Sequence, residues 1–214
     1  MKFMGARNRS KVLSWSVGLS SQACRKTTLL VWLVGAAALT GSACGDHVPD
    51  PRTVEGVLAY MAQALEADDG ERLYRVLDER SRHALISIHA DRRAAADVVR
   101  ASYPEDERAD ALAALGEATE ASTPEALFAM RCDRGCRDEL VANVGAPTEE
   151  RRDGDELVVT TSRGELRFHR AREGQWWGFV WKTEELDRER DVASRDLRQI
   201  RRNAEVFQRR DDLE

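Results

Sequence analysis

Cysteines, histidines and paired carboxylates are the side chains able to act as nucleophiles, proton carriers or metal ligands, and here they are sparse and scattered. Of the four cysteines, two stand together in the run Cys132-Asp133-Arg134-Gly135-Cys136. This C-x-x-x-C spacing matches neither the C-x-x-C redox motif nor a zinc ligand set. In an oxidising compartment two thiols this close form a structural disulfide, and Gly135 lets the backbone turn far enough to join them. His83, His89 and His169 are candidates for acid–base chemistry by residue type alone. His83 and His89 do not share a helix face, and surface or capping positions are expected for all three. The sequence holds no Gly-rich phosphate loop, no H-E-x-x-H and no G-x-S-x-G. No catalytic residue, cofactor site or metal site is therefore assigned.

The other informative cysteine, Cys44, ends an uncharged stretch of eighteen residues that begins at Thr27. Lys2, Arg7, Arg9, Lys11, Arg25 and Lys26 precede that stretch, and no acidic residue occurs before Asp46. A basic segment, an apolar run from Leu29 to Leu39 and the small residues Gly41-Ser42-Ala43 make the pattern of an export signal. Cys24 lies in the basic part and is lost on cleavage. The ending Leu39-Thr40-Gly41-Ser42-Ala43-Cys44-Gly45 resembles the lipobox of bacterial lipoproteins, in which the Cys is lipidated and becomes the first residue of the mature chain. Such boxes usually carry Leu three places before the Cys, where Gly41 stands here. The resemblance implies a membrane anchor through lipid on Cys44 and a place in the cell envelope, facing the periplasm or the exterior. Ordinary cleavage with secretion and an uncleaved anchor are the alternatives, although the apolar run is short of the roughly 20 residues that a spanning helix needs.

Removing that segment changes the charge that matters. The whole sequence carries −5; its first 45 residues hold six basic side chains and no acidic one, which leaves −11 on the remainder. An acidic domain argues against a nucleic-acid partner, which requires a basic patch to displace counterions. Beyond the signal Lys182 is the only lysine among many arginines.

The elements that must position these residues are helical first. Residues 44–52 read as a tether, and Asp50-Pro51 as an N-cap followed by proline at the first helical position. Val54, Val57, Leu58, Met61 and Leu65 recur at helical spacing up to Asp68-Asp69-Gly70. A short helix with Leu73, Val76 and Leu77 follows. Ser81 is expected to cap the next, which carries Ala84, Leu85 and Ile88 and continues to Tyr103-Pro104. A further helix ends at Gly116, and Thr123-Pro124-Glu125 opens one that carries Leu127 and Met130 into the cysteine pair. From about Val141 the period alternates, with strands expected at 157–161, 165–170 and 175–181, and with turns at Ser162-Arg163-Gly164 and Arg172-Glu173-Gly174. Short turns imply antiparallel neighbours, so the fold class is α+β, with N-terminal helices packed on a sheet meander. Trp176 and Trp177 should face opposite sides of their strand.

From residue 183 to the end the chain is highly charged, with nine basic and ten acidic residues from Lys182 onward. Leu186, Ala193, Ile200 and Phe207 fall seven apart, with Leu197 and Ala204 on the adjoining seam, so an apolar stripe runs along a long C-terminal helix. Docking on its own domain and pairing with a partner or second copy are both open for this stripe.

The helix from Val54 to Asp69, ending in acidic residues before Leu73-Tyr74-Arg75-Val76-Leu77, resembles the start of the nuclear transport factor 2-like superfamily. The segments from Thr160 to Phe168 and from Gly174 to Trp177 are similar to the last strands of its lipoprotein members. The resemblance covers residues 53–182 and implies N-terminal helices wrapped on a curved antiparallel sheet to form a cone. The helical stretch between Asp91 and Met130 and the C-terminal tail depart from it. The implied organisation is a lipoprotein-type signal over 1–43, a tether over 44–52, an α+β domain over 53–182 and a charged helix over 183–214. The fold hosts enzymes, ligand carriers and interaction modules alike. The reading preferred here is an envelope lipoprotein acting by binding or structural interaction; the alternative is a ligand carrier or enzyme using a pocket inside the cone.

Overall fold

The computed structural model describes residues 49–171 and 176–211. Helices come first: α1 (Val54–Glu66), α2 (Gly70–Tyr74), α3 (Glu79–Ser102), α4 (Glu105–Ala114), a 3-10 turn (Glu117–Thr119), α5 (Pro124–Arg131) and α6 (Arg134–Asn143). Four strands follow, β1 (Pro147–Asp153), β2 (Glu156–Thr161), β3 (Glu165–Arg170) and β4 (Trp177–Phe179), and α7 (Thr183–Asp211) comes last. The strands form one antiparallel meander in chain order. The protein is α+β with a long C-terminal helix.

Two helix starts differ from expectation, each because a neighbouring side chain reaches the orphan amides better. Thr53 caps α1, its hydroxyl accepting from the Gly56 amide at 3.0 Å. Asp50 instead turns the chain before it, accepting from the Arg52 amide at 3.0 Å. Asp78 caps α3, accepting from the amides of Arg80 at 2.9 Å and Ser81 at 3.1 Å. Ser81 lies inside the first turn, with its hydroxyl donating to the second Asp78 oxygen.

Two elements appear where no period marks them. Helix α6 is opened by Asp133, whose side chain accepts from the Cys136 amide at 3.0 Å, and its only buried residue is Leu140. Strand β1 pairs with β2 along its length, yet no residue of it is buried. A strand held by backbone pairing alone has no apolar alternation to betray it. Strand β4 is shorter than expected: the Val180 amide still donates to the Arg167 carbonyl at 2.8 Å, but Trp181 lies beyond the strand and Lys182, at φ 47°, turns the chain into α7. Along its outer edge run residues 76–78. Phe179 donates its amide to Val76 O at 2.8 Å and accepts at its own carbonyl from the Asp78 amide at 2.9 Å. Gly178 permits this approach: a Cβ there would lie 2.4 Å from the Cα of Asp78.

Burial falls into two clusters. The main one joins α1, α2, the first half of α3, α5 and the inner face of the sheet, around Met61, Leu77, Leu85, Phe128 and Phe168. The second joins the far halves of α3 and α7 with α4, through Ala95, Val99, Tyr103, Leu115, Leu197 and Ala204. Contacts pair Arg80 with Asp187, Arg92 with Asp196 at 2.6 Å and Tyr103 with Phe207 at 4.9 Å between ring centroids, so α3 and α7 run parallel.

Candidate functional site

Two of the three candidate histidines are brought to one place. A cleft of about 660 Å³ is lined by Glu79 and His83 of α3, Asp155 of the β1–β2 turn, Glu156 at the start of β2, His169 of β3 and Thr183 of α7. His169 Nε2 lies 3.2 Å from an Asp155 carboxylate oxygen, and His83 Nε2 lies 3.8 Å from Glu79 one helical turn before it. Register places His169 here. It lies on the opposite face of the strand from the buried Leu166 and Phe168, the same side as Arg167, whose guanidinium holds Glu156 at 3.0 Å and Asp153 at 3.2 Å.

What the cleft can do chemically is limited by who is already paired. Arg80 is held by Asp187, and Asp78 by the first turn of α3 and Ser81. The Ser81 hydroxyl is the nearest thing to a nucleophile. It is fully buried, between Asp78, the Trp181 carbonyl at 3.1 Å and the Thr183 hydroxyl at 3.1 Å, so it joins elements and meets no substrate. Among the described residues no group of three or more His, Cys, Asp or Glu side chains is disposed to hold a metal ion. His89 is elsewhere, its Nε2 3.0 Å from the Ala121 carbonyl, where it ties α3 to the loop before α5.

The space between helices and sheet is filled. Phe128, Phe168, Met61, Leu73, Leu77 and Leu85 are all essentially inaccessible, and Phe128 packs edge-on against Trp181 with centroids 4.8 Å apart. Tyr74 borders Phe128 at 6.2 Å. Burial first, and then the charge of Glu125, holds its phenol above the usual value, with Arg82 acting the other way.

Cys132 and Cys136 are bonded, with Cys132 in the main core and Cys136 packed on it. The C-terminal stripe is occupied within the chain. Leu186 belongs to the main cluster, Leu197 and Ala204 to the second, and Ile200 and Phe207 pack on the second from its edge; Ala193 is also buried. Cys44 and the rest of the signal and most of the tether lie outside the described residues, as does the turn 172–175. Sequence reasoning passed over the cation–π contacts of the two tryptophans. The Arg82 guanidinium lies 4.3 Å from the Trp176 ring centroid, and that of Arg170 lies 5.7 Å from Trp177.

Compared with protein-family models, with curated proteins and with solved structures, the chain has no match.

Proposed function

We propose that this chain is an exported bacterial lipoprotein of the cell envelope, facing the periplasm or the exterior, whose α+β domain acts by binding or structural interaction. The observation that carries the reading is the filled interior. A carrier or enzyme of the cone-like nuclear transport factor 2 kind needs a concavity between helices and sheet, and here aromatic and aliphatic side chains close that space. The four-stranded antiparallel meander behind N-terminal helices supports an architecture of that kind. The uncharged run ending at Cys44 supports the anchor.

Two measurements test this. Cys44→Ser should move the protein from the detergent phase to the aqueous phase and end fatty-acid labelling; equal partitioning of the two forms refutes the anchor. The native protein should bind no anilinonaphthalene sulfonate, a probe of open apolar cavities. Saturable one-to-one binding refutes the filled interior and favours the carrier.

The cleft of His83 and His169 favours a second reading, in which a small ligand is bound or transformed at the surface. His169 has Asp155 at 3.2 Å and His83 has Glu79 at 3.8 Å, and a carboxylate beside an imidazole orients it for proton transfer. A ligand whose binding is lost in His83→Ala with His169→Ala, at unchanged melting temperature, would establish it.

A further inference from the structure

The described chain begins beside a particular part of the fold. Pro49 is already buried, and the Pro51 carbonyl accepts from the Trp177 amide at 2.9 Å, which fixes the end of the tether against the start of β4. Cys44 is five residues before Pro49. Even fully extended, five residues reach only about 18 Å. A lipid on Cys44 therefore holds this end of the sheet within that distance of the bilayer.

The side chains gathered there suit a lipid surface. Trp176 and Trp177 are both half-buried at the start of β4: Trp177 rests one side on the main core, and Trp176, just before the strand, lies under the Arg82 guanidinium. Arginines surround them. Arg82 and Arg170 stack on the two indoles, and Arg52 is exposed one residue after Pro51. Arg75 is exposed and immediately precedes the segment that runs parallel to β4, which puts it at the Trp177 end of that strand. Asp50, an acid among the described residues there, is held by Arg52 at 3.1 Å. Indoles settle at the headgroup level of a bilayer, with the ring in the apolar part and the N–H in the polar part. Guanidinium groups pair with phosphate in two parallel hydrogen bonds. The net −11 of the mature chain opposes approach only weakly, because charges farther than roughly 8 Å are screened at physiological ionic strength.

We propose that the sheet end bearing Trp176, Trp177, Arg52, Arg75 and Arg170 lies on anionic phospholipid headgroups and sets the orientation of the anchored domain. The proposal rests on the anchor at Cys44.

The test uses the acylated full-length product, purified in detergent and reconstituted into vesicles of phosphatidylcholine, with or without phosphatidylglycerol, whose acyl chains carry bromine to quench nearby indoles. Trp15 and Trp32 leave with the signal, so Trp176, Trp177 and the buried Trp181 are the indoles that remain. Strong quenching is expected in vesicles containing phosphatidylglycerol, falling by roughly two-thirds or more in Trp176→Phe with Trp177→Phe. Arg52→Glu with Arg75→Glu should lower the ratio of docked to undocked protein by roughly tenfold or more while the protein still floats with the vesicles. Circular dichroism melting of each variant in detergent checks that the fold is kept. Wild-type protein that floats unquenched, or an arginine variant quenched as strongly as wild type, overturns the docking and leaves the anchor standing. Protein that fails to float at all overturns the anchor and the docking together.

Discussion

At the scale of single residues, the side chains able to do chemistry are used to join elements. Cys132 and Cys136 close a four-residue separation across the junction of α5 and α6, where α6 contributes only Leu140 to burial. Closing so short a loop stabilises by about 2 kcal/mol in the chain-entropy view. Cys136→Ser should therefore lower unfolding free energy by about 2 kcal/mol in urea titration, and reductant should have the same effect on wild type. A variant as stable as wild type shows that the bond holds nothing the helices do not. Gly178 carries a sharper requirement. Its missing Cβ is what lets β4 touch residues 77 and 78, and the atoms in the way are backbone, which cannot swing aside. Gly178→Ala should destabilise by about 3 kcal/mol or more, read from the same titration. An effect below 1 kcal/mol, about the cost of a mild surface change, means that the strand and segment separate easily.

At the scale of elements, α7 does most to unite the molecule. Its apolar stripe is narrow because alanine and leucine alternate at the contact with α3, and small residues let the two parallel helices approach closely. Arg92 pairs with Asp196 across the contact, and Arg131 at the end of α5 holds both Glu189 of α7 and Glu117 of the 3-10 turn. Ile200→Asp with Phe207→Asp places two carboxylates against that contact and removes the ring that packs on Tyr103. Loss of about 3 kcal/mol and a lower melting temperature are expected. Unchanged melting, with loss of a larger native complex, would instead show that the stripe serves another chain. The sheet's first strand behaves differently. With alternating blocks of acid and base and no buried residue, β1 is an edge that discourages pairing with other strands.

At the scale of the whole molecule, two hydrophobic clusters share two helices. The main cluster is built on large side chains from helices and strands alike, the second chiefly on alanine, valine and leucine around one aromatic pair. Less apolar area holds the second, so it should open locally at lower free energy. Amide hydrogen exchange should run faster in α4 and in residues 197–207 than in β2 and β3. Uniform protection would mean that the chain opens only as one unit.

The sequence by itself determined the class and much of the element order. Helical spacing from Val54 to Leu65, the Pro104 break, the Thr123-Pro124 start and the turn at Ser162-Gly164 are local signals, and local physics acts on them directly. Two elements escaped it for one reason. Strand β1 and helix α6 bury almost nothing, so they carry no period; β1 pairs with β2 along its length, and α6 is capped by Asp133 and joined to the core through the bond to Cys132. The cap at Asp78 was hidden in the same way, since Ser81 offers an equal hydroxyl and only the fold aligns Asp78 with the amides of Arg80 and Ser81. The sites depended on tertiary structure most of all. His83 and His169, far apart in sequence, meet in one cleft because β3 returns beside the start of α3. Trp176 and Trp177 stand beside the tether because β4 pairs with residues 76–78 and its first amide reaches Pro51. Such meetings are set by strand register and helix packing, which join distant residues through contacts that no local spacing encodes.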